Sequence, residues 1–264
     1  MVLSIITINL NNLRGVKKTM NSITSQDSTC YEWIVIDGGS TDGSKEFIQE
    51  NSREIAFWVS EPDRGIYEAM NKGIDASTGE YLLFLHSGDS LADKSIISDF
   101  WKMRPSADVI HGNTIIVDKE DNEVGRFVAP DLVRLSFFWN HSLNHQGSFF
   151  NKRCFLRFRY NEANRIASDT ELFMQLLYNG YSFEKWDRFI ERFELGGLSS
   201  QKAKDEFADI VYRLLPPGIK ADYEEIIQNR DVDLYILIRK IINSKRWVRN
   251  LARLVLLPFR LLLQ

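Results

Sequence analysis

The stretch EWIVIDGGSTDGS, residues 32–44, decides the fold. A β-branched apolar run ends in Asp37, two glycines and a second polar, glycine-containing cluster. Residues 32–37 read as a buried strand, and Gly38-Gly39 as the turn that leaves it. An acid at that point fits a hairpin turn, and it equally fits a site that needs a carboxylate at the carboxyl end of a strand.

The flanking segments bear on the choice. VLSIITI (2–8), IAFWVS (55–60) and EYLLFL (80–85) read as further strands. Between them lie helical patterns: Leu13, Val16, Met20 and Ile23 over 13–25, DGSKEFIQEN over 42–51 with Ser40 or Thr41 as its cap, and GIYEAMNKGIDAS over 65–77. Strand–helix alternation at this pace predicts βαβ units and a parallel sheet. Ligands of open α/β sheets bind beyond the carboxyl ends of the strands. Four successive strands end there in polar segments: Asn9-Leu10-Asn11-Asn12, Asp37-Gly38-Gly39, Glu61-Pro62-Asp63-Arg64-Gly65 and His86-Ser87-Gly88-Asp89. The segment after the first strand lacks Gly-x-Gly-x-x-Gly, which excludes a nicotinamide-dinucleotide site of the usual kind, and there is no Gly-x-x-x-x-Gly-Lys-Ser/Thr loop.

Further along, residues 107–118 and 123–128 read as strands, a hairpin turning at Asp121-Asn122, and 145–151 as another strand. SDTELFMQLLYNG (168–180) reads as a helix closed by Gly180, with Ser168 and Glu171 spaced as a capping box. His145 and Gln146 fit either a substrate pocket or the core. Asp89 fits either a turn cap or an oxygen ligand for a hard divalent cation that also takes substrate phosphates.

The motifs SIITINLNN, EWIVIDGGSTDGS, SEPDRGIYEAMNKGI and YLLFLHSGD, in this order and spacing, resemble those of family 2 glycosyltransferases with the GT-A fold, in particular bacterial capsule, colanic-acid-type and O-antigen enzymes. The resemblance spans roughly residues 1–195 and is densest over 1–90. It implies an α/β domain with a Rossmann-like, mostly parallel central sheet flanked by helices. It implies that Thr7, Asn9, Asp37, Asp63, Gly65, Asn71, Lys72 and Gly88 surround a nucleotide-sugar donor. Asp89 falls on the last acid of the family's Asp-x-Asp region and would hold Mn2+ or Mg2+. Here His86-Ser87-Gly88 replaces the Asp-Ala-Asp of many members, which leaves one carboxylate. Asp169 falls where the family places the base that deprotonates the acceptor, and ASDTELFMQL is the matching segment.

Composition agrees with a globular enzyme. The 264 residues are 44% hydrophobic and 26% charged. Cys30 and Cys154 form neither a disulfide framework nor a metal knuckle and fit a reducing compartment. No basic n-region precedes the first strand, so no signal peptide is expected. Net charge is −3, but residues 234–264 carry seven basic residues and no acid, against 26 basic and 36 acidic residues in the rest. Arg239, Arg246, Arg253 and Arg260 recur every seven residues beside an apolar stripe, with Trp247 as an anchor. The uncharged runs are too short to span a bilayer. A basic amphipathic helix lying on an anionic leaflet is the expectation; a terminal helix packed on the body or in a dimer is the alternative. No nucleic-acid-reading motif is present.

The expected organisation is a GT-A domain over 1–195, with a donor-binding half (1–100) and an acceptor half (101–195). A helical extension follows over 196–264 and associates with a membrane from about 234. The expected activity is inverting transfer of a hexose or N-acetylhexosamine from a nucleotide-sugar, UDP-linked by preference, to a lipid-linked or polysaccharide acceptor in bacterial surface-glycan synthesis. The setting is the cytoplasmic face of the inner membrane, with anionic inner-leaflet lipids as partner. The alternative is a non-catalytic nucleotide-sugar-binding membrane protein.

Overall fold

The computed structural model describes residues 2–134, 137–139, 141–196 and 204–214. Residues 2–133 and 143–202 form one unit. Its first half alternates as expected: β1 (Leu3–Asn9), α1 (Leu13–Thr24), β2 (Tyr31–Asp37), α2 (Ser44–Glu50), β3 (Phe57–Ser60), α3 (Ile66–Ala76) and β4 (Tyr81–Phe84). Next come β5 (Ser90–Leu91), α4 (Ile96–Lys102), β6 (Val109–Val117), β7 (Glu123–Phe127), β8 (Ser148–Asn151), α5 (Ser168–Tyr178) and β9 (Phe183–Glu194). Residues 134–142 and 203–264 make up a second unit, whose described part includes α6 (Lys204–Leu214).

One sheet runs in the order β3-β2-β1-β4-β8-β6-β9-β5, with β7 paired to β6. Strands β1 to β4 are parallel to one another, and β6 and β9 are parallel. The antiparallel exceptions are β8 between β4 and β6, the β6–β7 hairpin, and β5 against β9. The hairpin turns through Asp121, at a φ of 65°.

The strand pattern explains why both faces are covered. In β1 every residue is buried. Successive side chains point to opposite faces, so Leu3, Ile5, Trp33, Val35, Tyr81 and Leu83 pack with Val16 and Ile23 of α1, Ile48 of α2 and Phe100 of α4. The other face takes α3 and α5. Gly73 brings α3 so close that a Cβ there would lie 2.3 Å from Ile6 Cγ2. Phe173 of α5 stacks on Phe150 of β8 at 5.3 Å between ring centres. Such continuous apolar strands belong to parallel sheets covered on both sides.

The expected cap of α2 is corrected. Gly43, in the left-handed region at φ 92°, occupies the cap position, and Asp42 rather than Ser40 or Thr41 takes the Ser44 amide, at 3.0 Å. Ser40 is drawn away by Asp37. The residues 215–264, and with them the expected membrane helix, lie outside the described residues.

Candidate active site

A cavity of ≈ 600 Å³ opens at the carboxyl ends of β1, β2 and β4, within the size range of small-ligand sites. Asn9, Asp63, Gly65, Asp89, His145, Gln146 and Asp169 line it. Thr7, Asp37, Asn71, Lys72 and Gly88 do not, and each has a different occupation.

Asp37 is fully buried. It accepts from Asn9 Nδ2 at 2.7 Å, from the Ser40 hydroxyl at 2.5 Å and amide at 2.9 Å, and from the Ser60 hydroxyl at 2.6 Å. Burial alone would raise its pKa, but the bonds from Ser40, Ser60 and Asn9 outweigh it and hold the carboxyl below its ordinary range. Asp37 thus lies behind the cavity wall, with its carboxylate engaged by its neighbours. It ties the ends of β1, β2 and β3 together and sets Asn9, whose Oδ1 is buried without a hydrogen-bond partner among the described residues.

The other residues off the cavity wall have partners of their own in this structure. Thr7 donates to the Leu85 carbonyl at 2.8 Å and accepts from Trp33 Nε1 at 2.9 Å, inside the sheet. Lys72 binds Asp63 at 2.5 Å and Glu61 at 2.7 Å, which fixes Asp63 on the cavity wall. Burial raises the Asp63 carboxyl's pKa in spite of Lys72. Asn71 clamps the backbone of Tyr160, donating to its carbonyl at 2.9 Å and accepting from its amide at 3.1 Å. Gly88 sits at φ 107°, a conformation that disfavours any Cβ, and turns the chain so that Asp89 faces inward.

Asp89 is 4% exposed. Its Oδ1 accepts the Glu194 amide at 2.9 Å, and the Gln146 side chain also bonds to it. Burial pushes its carboxyl up to about 7; the Glu194 amide and then Lys18 oppose the shift, and the Glu194 carboxylate adds to it. Glu191 of β9 is fully buried and shifts further upward, through burial and then the charge of Asp89. It accepts from Thr114 Oγ1 at 3.1 Å and Asn144 Nδ2 at 2.5 Å, while its Oε2 has no hydrogen-bond partner among the described residues. Two buried acids, each raised by burial and Glu191 also by the charge of Asp89, mark a place where added positive charge is favourable. Among the described residues no group of three or more His, Cys, Asp or Glu side chains could hold a metal. A hard cation here would thus rely on Asp89 together with phosphate oxygens, a donor set that suits Mg2+ or Mn2+.

Asp169 is the second residue of α5, with 18% of its side chain exposed. Its Oδ2 lies 3.3 Å from His145 Nδ1. The expected capping box is corrected. Ala167 takes the cap position, the Ser168 hydroxyl accepts the Asn161 amide, and Glu171 accepts from Asn161 Nδ2 at 3.1 Å and Asn164 Nδ2 at 2.6 Å. Both side chains anchor the 161–164 loop instead of closing the helix end. His145 and Gln146, adjacent in the chain, thus reach Asp169 and Asp89 respectively. Sequence reasoning missed Glu191 and Glu194, because β9 (FEKWDRFIERFE) shows no clean period of two.

The sheet order and the placement of the cavity define a GT-A fold. The chain belongs to glycosyl transferase family 2, whose model matches residues 4–166. An uncharacterized glycosyltransferase of Mycobacterium tuberculosis is 31% identical over 182 residues, covering 65% of this chain and 67% of that protein. A PGL/p-HBAD biosynthesis glycosyltransferase of Mycobacterium bovis is 29% identical over 213 residues, covering 77% and 81%. The crystal structure of S. aureus TarS 1-349 in complex with UDP-GlcNAc has a TM-score of 0.65 at 18% identity, over 90% of this chain and 70% of that one. A mannosyltransferase from Pyrobaculum calidifontis in complex with GDP-Man and Mn2+ has a TM-score of 0.56 at 16% identity, over 74% and 57%.

Proposed function

We propose that the protein transfers a hexose or N-acetylhexosamine from a UDP-sugar to a lipid-linked or polysaccharide acceptor, with inversion, in bacterial surface-glycan synthesis. The observation that carries this reading is the pair Asp89 and Asp169 on the wall of one cavity, held by neighbouring residues His145 and Gln146. The UDP-GlcNAc complex of TarS supports the donor class, and the Mn2+ of the archaeal mannosyltransferase supports a cation.

The chemistry follows from the side chains. Asp169 takes the proton of an acceptor hydroxyl as that oxygen attacks the anomeric carbon. The new C–O bond forms while the bond from the anomeric carbon to the diphosphate oxygen breaks, and the nucleoside diphosphate leaves. A single displacement inverts the anomeric centre. A positioned base contributes about 10²–10⁴-fold. Asp89 would hold Mn2+ or Mg2+ against the donor phosphates; when bound, the cation supplies Lewis-acid neutralisation of the leaving charge. Asn9, whose Oδ1 has no hydrogen-bond partner among the described residues, and Asp63, braced by Lys72, face the donor.

The test is UDP release from a panel of UDP-sugars with Mn2+ and lipid-linked glycans extracted from bacterial membranes. Turnover that requires both donor and extract supports the reading. UDP-sugar binding without any turnover across the panel would overturn it in favour of a binding protein.

We further propose that residues 234–264 hold the enzyme on the cytoplasmic face of the inner membrane. The support is their seven basic residues without an acid beside an apolar stripe. No helix among the described residues is long and apolar enough to cross a membrane.

A further inference from the structure

His86, just past β4, stands 3.0 Å from His145, Nε2 to Nε2. His145 in turn stands 3.3 Å from Asp169 through its Nδ1. Three side chains from three separate segments therefore form one line that ends on the cavity. The rings meet at 5.1 Å between centres with a 58° tilt, and Phe84 and Tyr160 flank His145 edge-on. Nδ1 of His86 is buried and has no hydrogen-bond partner among the described residues.

Hydrogen-bond accounting fixes where the protons sit. A neutral imidazole has one N–H and one lone pair. If His145 carried its proton on Nε2, its Nδ1 lone pair would face the Asp169 carboxylate, and His86 would need its own proton on Nδ1. That would bury an unpaired N–H at the far end and set two acceptors against each other at the near end. A doubly protonated His145 satisfies Asp169 but still forces the proton of His86 onto the unpaired Nδ1. The opposite direction makes both bonds: His86 Nε2–H donates to His145 Nε2, and His145 Nδ1–H donates to Asp169 Oδ2. It leaves a lone pair, rather than an N–H, without a partner, and orphaned donors are the rarer defect.

We propose that His145 is a positioning residue that orients the Asp169 carboxylate for proton abstraction, and that His86 sets the tautomer in which His145 can do so. The proposal rests on the reading of Asp169 as the base. A single N–H on Oδ2 stops the carboxylate from rotating and leaves Oδ1 for the acceptor hydroxyl. Among the described residues Asp169 has no other hydrogen-bond or ion-pair partner, so the constraint depends on this contact. Small misplacements of a reacting group cost up to about 10²-fold in rate. His86 is one of the residues that replaces the family's acidic pattern here, and in this chain it serves the base instead of a cation.

Two measurements on the full chain test this. Long-range 1H–15N NMR of the histidine rings reads the tautomers without any substrate. The expected result is His145 protonated at Nδ1 and His86 at Nε2; the reverse pattern, or a doubly protonated His145, overturns the proposal. Kinetics supply the functional test with UDP-GlcNAc, Mn2+ and the membrane extract. His145→Leu should lower kcat about 10- to 10²-fold with donor KM within about twofold. His145→Asn, whose amide nitrogen falls near Nδ1, should restore most of the loss, and His86→Leu should give an intermediate loss. In an Asp169→Asn background His145→Leu should cost nothing more, because the two act as one unit. Full kcat in His145→Leu, or no rescue by Asn, contradicts positioning while leaving the base intact. Full kcat in Asp169→Asn contradicts the base itself. If His145→Leu does not fold, His86→Leu and the ring tautomers still decide.

Discussion

Two carboxylates with different surroundings show how this site is built. Asp37 spends its carboxylate on four hydrogen bonds in the frame, whereas Asp169 keeps one oxygen in reserve. Asp37→Ala should cost stability more than a surface change does, about 1–3 kcal/mol, because Asn9 and the Ser40 amide lose a charged acceptor; chemical denaturation checks this. His111 supplies a pH signature away from the site. It is 1% exposed, and burial, then Lys185, lower its pKa to about 4 from 6.5. Above pH 6.5 the ring is neutral in both folded and unfolded chains. As pH falls from 6.5 towards 4 the unfolded chain gains a proton that the folded chain does not, so stability drops by on the order of 3 kcal/mol. Denaturation midpoints across this window should show the loss, and His111→Leu should flatten the slope. An unchanged slope in that variant would assign the loss elsewhere.

At the level of elements, what the sequence reveals depends on how regular the burial is. Strands β1, β2 and β4 are legible because both of their faces are covered and their letters are mostly apolar. The polar ends that follow them lie at the rim of the sheet where the cavity opens. The long β9 was not legible, since charged and aromatic residues follow one another without a period and only Ile190 and Glu191 are buried. Caps were misread where a side chain had a better partner at a distance, as Ser40 has in Asp37 and Ser168 in the Asn161 amide. The cap of α1 is a different case: Asn12 accepts the Gly15 amide at 3.0 Å and donates to the Ser87 carbonyl at 2.9 Å, joining the helix start to the loop that carries Asp89. Asn12→Ala should cost about 1 kcal/mol of stability and weaken UDP-sugar binding, which thermal melts with and without UDP would read. Gly73→Ala should destabilise by about 1–3 kcal/mol through its clash with Ile6, with the melt unaltered by ligand in relative terms.

For the whole molecule, charge and chemistry are divided along the chain. The acidic body carries the cavity and the last 31 residues carry a net positive charge. The body's fold was legible from residues 1–90; the fine structure of the site was not, because the His86–His145–Asp169 line joins residues up to 83 positions apart. A chain ended at Asp233 should keep the catalytic fold and lose sedimentation with anionic liposomes, and binding of the full chain should fall as salt rises from 0.1 to 1 M, the range over which the screening length shrinks from about 10 to 3 Å. Equal sedimentation of the two chains would refute the anchor. The central claim, that Asp169 does chemistry in a cavity that binds the donor by other groups, has a direct test in one variant. Asp169→Asn should bind UDP within about threefold of the parent, by calorimetry, and transfer sugar at least about 10²-fold more slowly. Transfer at the parent rate by that variant would contradict the account.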